Sequence, residues 1–413
     1  MHDNNDVPPA GTDPTGRLKA EADDPVLLVG MGVVGHAIAR DHVRAGAPFW
    51  MADRDEAVLR RCADQLLRDT PAELVTASPW GTRLPIPNVC VAPNPEADYG
   101  LTSRSAPEWL VIESIAERLD VKQSFYQAAE SWFDRPPVWG TNTSTLSIRR
   151  IVERMDRPDR LLGYHFFMPV VGRHAVEIIP HASTSASAVA RCRSHARILG
   201  KAPIRVADGP GFVVNRMLAP YLNLSLWLVC GGVSFGDLRA AALAYGMPMS
   251  PLELIDLIGC RTAFDGGRVV WQAFPQRLDP SPLLPAMIKR GRQGISIGKG
   301  FYDYDESGSR IDDKPGQEVA SLIQRYEHDQ LSANDRSDVT LLSSLLAGVM
   351  RAEAIGIIRD GIADRQAVDD AMRGGLAYAP PAPTETWWQW IEQTPTADWD
   401  RLARRFPKLR SLR

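Results

Sequence analysis

One glycine-rich turn constrains this chain more than any other feature. Val26-Leu27-Leu28-Val29 is a short continuous apolar run, as in a strand buried on both faces of a parallel sheet. Gly30-Met31-Gly32-Val33-Val34-Gly35 follows at once and opens a helix predicted over 36–45, with Gly46 as its C-terminal stop. In a G-x-G-x-x-G placed this way, Gly30 permits the tight turn and Gly32 lets the backbone approach a pyrophosphate. Gly35 allows helix and strand to pack closely. The helix N-terminus adds free N–H groups and the positive end of a dipole for phosphate oxygens. Asp53 ends the next apolar run, 23 residues beyond Gly30, where an acid binds the adenosine ribose hydroxyls. That acid repels a 2′-phosphate and favours NAD over NADP, although the neighbouring Arg54 could accommodate one.

Beyond the turn the chain alternates strand and helix. Strands are predicted at 49–53, 109–112, 138–142, 161–166, 175–179 and 203–207, and helices at 55–68 and 121–132. Residues 69–108, rich in Pro, Ser, Thr and Asn, define no element, and the polar residues 1–24 read as a disordered tail. After Asp208-Gly209-Pro210-Gly211 the pattern turns helical, beginning with 213–230. Within that half, Gly232-Val233-Ser234 through Ala242 echoes Gly361-Ile362-Ala363 through Ala371, each following a long amphipathic helix. The expected architecture is an α/β Rossmann-like doubly wound sheet over 25–208, then an all-α half with a duplicated helical module at 209–310 and 330–400.

With 47 Lys and Arg against 50 Asp and Glu, the net charge of −3 leaves no cationic footprint for nucleic acid. Cys62, Cys90, Cys192, Cys230 and Cys260 form no C-x-x-C pair, which argues against a metal site or a disulfide framework. No run reaches the about 18 uninterrupted apolar residues of a membrane span. No basic stretch followed by an apolar core opens the sequence. A cytoplasmic enzyme is the expectation. Lys289-Arg290-Gly291-Arg292 and Lys299 could contact phosphates or form a solvated turn, and Trp387-Trp388-Gln389-Trp390 with Trp399 reads as packing.

Four polar residues stand at or beside apolar runs, where burial is costly unless they are paired: Ser144, His165, Glu177 and Asn215. Their order behind the glycine turn resembles the 3-hydroxyacyl-CoA dehydrogenase family over about 25–305. The resemblance rests on Gly30 to Gly35, Val111-Ile112-Glu113 with Glu117 and Lys122, and Asn142-Thr143-Ser144. His165-Phe166-Phe167, Glu177, Pro210-Gly211-Phe212-Val213-Val214-Asn215-Arg216, Pro248 to Leu254 and Gly298-Lys299-Gly300-Phe301-Tyr302 complete it. It implies NAD as cofactor and a reaction between 3-hydroxyacyl and 3-ketoacyl thioesters. His165 would be the general base, as suits an imidazole near working pH. Glu177 would orient it, and Ser144 and Asn215 would hold the substrate oxygens. The cofactor would meet Gly30, Met31, Gly32, Val33, Val34, Gly35, Asp53, Glu117, Lys122, Ser144 and Met168.

The sequence departs from the family where Met168 replaces the usual Asn three residues after His165, losing an amide donor and acceptor. Val171-Gly172-Arg173-His174 is more polar than a loop beside an acyl chain should be, and Ser250 stands where Gly is common. These departures keep a second expectation alongside an acyl-CoA substrate: a biosynthetic relative acting on a short polar hydroxyacyl group tethered to an acyl carrier protein. The doubled module resembles the bacterial multifunctional oxidation subunit, from which the chain is expected to differ in lacking an enoyl-CoA hydratase domain upstream. A doubled module also makes a monomer as credible as a homodimer.

Overall fold

The structure, a computed structural model, describes residues 25–47, 49–69, 90–91, 108–133, 135–328, 331–380 and 386–393. The expected tail, the segment around Trp399 and most of 69–108 lie outside these residues. Two compact units divide between Asp208 and Gly209.

In the first unit the apolar runs become strands, five of them buried along their whole length and so covered on both faces. They are β1 (Val26–Val29), β2 (Trp50–Asp53), β3 (Cys90–Val91), β4 (Leu110–Glu113), β5 (Val138–Thr141), β6 (Leu161–Phe166), β7 (Ala175–Ile179) and β8 (Ala202–Arg205). Among the described residues they form one sheet in the order β3-β2-β1-β4-β5-β6-β7-β8. The strands from β3 across to β6 pair in parallel; β7 runs antiparallel to β6, and β8 parallel to β7. Strand order reverses between β1 and β4, so a crevice opens beyond their carboxyl ends, where open sheets of this kind bind ligands.

Helix Val33–Ala45 begins earlier than its predicted start and ends, as expected, on Gly46 in the left-handed region at φ 63°. Helices Glu56–Asp69, Leu119–Ala129 and Ala186–Ile198 cover the sheet with it. Val26, Leu28, Ile38, Phe49, Met51, Ile112, Tyr164, Val176 and Cys192 build the core between them, each almost fully buried. Cys62, Cys192, Cys230 and Cys260 are all buried free thiols.

The second unit is helical and shows the repeat as geometry. Helix Val214–Cys230 leads through Gly232, at φ 87°, to Ser234, whose hydroxyl accepts the Asp237 N–H and caps Phe235–Tyr245. Helix Val339–Arg359 leads through Gly361, at φ 68°, to Asp364, whose carboxylate accepts the Ala367 N–H and caps Arg365–Asp370. A glycine free to adopt positive φ and a capping oxygen are what a sharp helix–helix turn needs. The copies diverge after that: Ala371–Gly375 widens into a π-helical turn.

Val339–Arg359 is long and apolar enough to cross a membrane by length and hydropathy alone, but 67% of its most apolar window is buried within the protein. It packs on both Val214–Cys230 and Phe235–Tyr245, which accounts for its composition as core. The Trp-rich end packs too. Trp387 donates from its indole to Tyr245 Oη at 2.9 Å, and Trp388 donates to the Arg365 carbonyl at 2.8 Å.

Candidate active site

The glycine turn sits at the carboxyl end of β1 and is glycine by necessity. Gly30 holds φ 90°, and a Cβ there would stand 2.8 Å from the Ser114 carbonyl. A Cβ on Gly35 would lie 1.8 Å from Gly30 O, so no other residue lets the helix start this close to the strand. Above Gly32, by contrast, nothing lies within 4 Å of the missing Cβ. The helix beneath has no side-chain cap and no acid in its first turn, leaving its N-terminal N–H groups to an anion. Met31 is buried and its N–H donates to Asp53 Oδ2 at 2.7 Å; the Asp55 N–H donates to Asp53 Oδ1 at 2.9 Å. Each carboxylate oxygen keeps a lone pair for a ribose hydroxyl. Val33 is 80% exposed and Val34 packs on the core. These residues fit a dinucleotide.

Beside the turn, β4 ends in Glu113, fully buried yet saturated with donors. Its carboxylate accepts from Ile115 N–H at 2.7 Å, Lys122 Nζ at 2.5 Å, Tyr126 Oη at 2.8 Å and Thr141 Oγ1 at 2.8 Å. Lys122 is 1% exposed, so its ammonium meets Glu113 and, at 3.6 Å, Glu117 Oε2. Glu117 Oε1 in turn gathers the 143–145 loop, accepting from Thr143 Oγ1 at 2.7 Å, Ser144 N–H at 2.9 Å and Thr145 N–H at 3.0 Å. Burial alone would raise the Glu117 carboxyl, but the Lys122 charge and these donors outweigh it and hold it below its usual value. In the sequence Glu113 enters only as part of the resemblance, with no role of its own. The signal was there: a carboxylate closing an all-apolar strand must be paired.

His165 and Glu177 stand opposite one another across β6 and β7. His165 Nδ1 lies 2.7 Å from Glu177 Oε2, with His165 6% exposed and Glu177 fully buried. Asn142 Oδ1 accepts the Phe166 N–H at 2.8 Å, tying the Ser144 loop to the same strand. Met168 is partly buried and packs on the Rossmann core. Asn215, in the second unit, stands partly buried in the first turn of Val214–Cys230.

Two sequence features take structural roles. Arg292, offered above as a phosphate contact, is 4% exposed and donates to Gly300 O at 2.7 Å and Asp303 Oδ1 at 2.5 Å, which removes it from that role. Lys289, Arg290 and Lys299 remain exposed. Ser250 departs from glycine because it caps helix Pro251–Ile258 in a reciprocal box with Glu253.

Residues 25–209 match the model of the 3-hydroxyacyl-CoA dehydrogenase NAD binding domain, and residues 211–304 match the C-terminal domain of that family. The fatty acid oxidation complex subunit alpha of Pseudomonas savastanoi pv. phaseolicola is 31% identical over 364 residues, covering 86% of this chain and 48% of that protein. The chain thus spans about half the length of the curated relatives it matches. A 3-hydroxybutyryl-CoA dehydrogenase from Escherichia coli K12 shares the fold with a TM-score of 0.70 at 23% identity, over 95% of each chain. An (S)-3-hydroxybutyryl-CoA dehydrogenase from Ralstonia eutropha is similar with a TM-score of 0.57 at 27% identity, over 68% of this chain and 99% of that one. A glycine turn shaped for NAD, a His–Glu pair on adjoining strands and both domain matches lead to one conclusion: the chain belongs to the 3-hydroxyacyl-CoA dehydrogenase family.

Proposed function

We propose that the chain is an NAD-dependent oxidoreductase interconverting a 3-hydroxyacyl-CoA and its 3-ketoacyl-CoA. The observation that carries this reading is the 2.7 Å contact between His165 Nδ1 and Glu177 Oε2. A carboxylate at Nδ1 selects the tautomer with its proton there, so Nε2 is the basic nitrogen. Nε2 takes the proton of the 3-hydroxyl as the C3–H bond breaks, and Glu177 stabilises the imidazolium that results. Bound NAD supplies the hydride acceptor. Ser144, held through Glu117, and Asn215 are assigned to the substrate oxygens, and Gly30 to Gly35 with Asp53 to the cofactor's pyrophosphate and ribose. Coenzyme A is preferred to a carrier protein because the relatives above are CoA dehydrogenases and fatty acid oxidation subunits.

Purified protein mixed with NADH and acetoacetyl-CoA is expected to consume NADH in proportion to enzyme. Failure to do so at any practical concentration overturns this reading. NADPH is expected to be the poorer donor, since Asp53 repels a 2′-phosphate.

A further inference from the structure

The turn between β6 and β7 joins the strand of His165 to the strand of Glu177 and lies at the carboxyl edge of β6. Because β6 pairs in parallel with β5, this is the same edge that carries the glycine turn and Ser144. Its backbone is pinned from below. Lys201, 4% exposed and 2.9 Å from Asp41, donates to Val170 O at 3.0 Å and to Arg173 O at 2.8 Å. The Arg173 N–H donates to Val170 O at 3.3 Å, closing the turn. Arg173 therefore projects from a fixed base, two residues before β7 begins at Ala175.

Its guanidinium is half-buried, its Nε is fully shielded without an acceptor, and among the described residues no carboxylate pairs with it. Burial draws its pKa down from the usual arginine value, with no opposing charge to restore it. Arginine is the side chain whose fork suits carboxylate and phosphate oxygens, and a desolvated, unpaired one stores free energy that an incoming anion releases. The polarity of Val171-Gly172-Arg173-His174 has the same explanation: a loop facing only alkyl chain has no use for it.

We propose that Arg173 is a specificity-determining residue that binds an oxyanion group of the thioester substrate. This rests on the dehydrogenase reading above. The oxyanion has two possible sources, a carboxylate at the far end of the acyl group or a phosphate of coenzyme A, and substrates separate them. Wild type, Arg173→Met and Arg173→Lys are compared in NADH oxidation on 3-ketoadipyl-CoA, acetoacetyl-CoA and acetoacetyl-N-acetylcysteamine, the last carrying no phosphate.

If the acyl carboxylate is the ligand, Arg173→Met loses about tenfold more kcat/KM on 3-ketoadipyl-CoA than on acetoacetyl-CoA, about 1.4 kcal/mol. Arg173→Lys then recovers part of it. If a CoA phosphate is the ligand, both CoA thioesters lose that factor relative to the cysteamine thioester. Equal losses on all three, or none, overturn the proposal. Calorimetric titration of the full chain with the same thioesters asks the question without turnover. Affinity weakened about tenfold only for the anion-bearing ligand supports the proposal even if the chain consumes no NADH, and equal affinities overturn it.

Discussion

A carboxylate 2.7 Å from His165 Nδ1 both orients the ring and stabilises its charged form, so the two residues act as a unit. His165→Ala is expected to lower kcat by roughly 10² to 10⁴, the usual contribution of a positioned base. Glu177→Gln keeps shape but loses the charge, and a loss of roughly 10² in kcat is expected with NAD affinity little moved. Stopped-flow NADH oxidation and a fluorescence titration with NADH measure the two separately. A Glu177→Gln variant that keeps full kcat contradicts the orienting role. Gly35→Ala belongs to a different class, because its methyl would meet Gly30 O at 1.8 Å. It should lower the urea midpoint by the equivalent of about 1–3 kcal/mol and weaken NADH binding as the turn shifts.

The strand β6 presents opposite chemistries on its two faces. His165 faces Glu177, while Tyr164 and Phe166 enter the core. There Tyr164 Oη lies 2.9 Å from His195 Nδ1, His195 Nε2 lies 3.0 Å from His42 Nε2, and His42 Nδ1 lies 2.8 Å from Ile38 O. A carbonyl can only accept, so His42 donates to Ile38; a neutral His42 then accepts from His195 at Nε2, and His195 accepts from Tyr164 at Nδ1. The chain of bonds is complete with both rings neutral. Burial pushes His42 down to about 4 and lowers His195 too. A histidine depressed in the folded state favours unfolding as the unfolded chain gains its proton first. Stability should therefore fall as pH drops from about 6.5 towards about 4, by at most roughly 1 kcal/mol per pH unit from His42, with His195 acting in the same direction. Urea unfolding across that window checks this, and the slope should flatten in the His42→Phe, His195→Phe double variant. Apolar runs located β6 and β7 in the sequence. Nothing local told that β7 runs backwards, since direction is a matter of which strand a backbone pairs with.

The helical unit is stitched by charge buried between its two modules. Arg216, 1% exposed, pairs with Glu353, also 1% exposed, and donates to Asp360 Oδ2 at 2.6 Å; Arg277 reaches Glu353 at 3.3 Å. Arg216 also stacks 4.6 Å over Phe274. Removing one member of such a set strands the others, so Glu353→Gln should cost about 3–5 kcal/mol in urea unfolding of the full chain. Adding Arg216→Met should recover part of that loss, because the stranded cation goes with it. An additive double variant contradicts the coupling. The repeat was readable from the segments opening at Gly232 and Gly361 and the long helices before them. The pairing of Arg216 with a residue so far along the chain was not, because no local pattern encodes it.

Sequence alone determined what depends on neighbours within a few residues. The glycine turn, the helix phases and the capped turns follow from short-range sterics and hydrogen bonding, and Gly30, Gly35, Ser234 and Asp364 do in the structure what their types predict. Folding decided which charged groups meet. It buried Lys122 between Glu113 and Glu117, absorbed Arg292 into a turn, brought Glu177 to His165 on an antiparallel strand, and left Arg173 without a counter-ion among the described residues. The reason is physical: a charge acquires its role from the desolvation and the partner that distant parts of the chain impose on it.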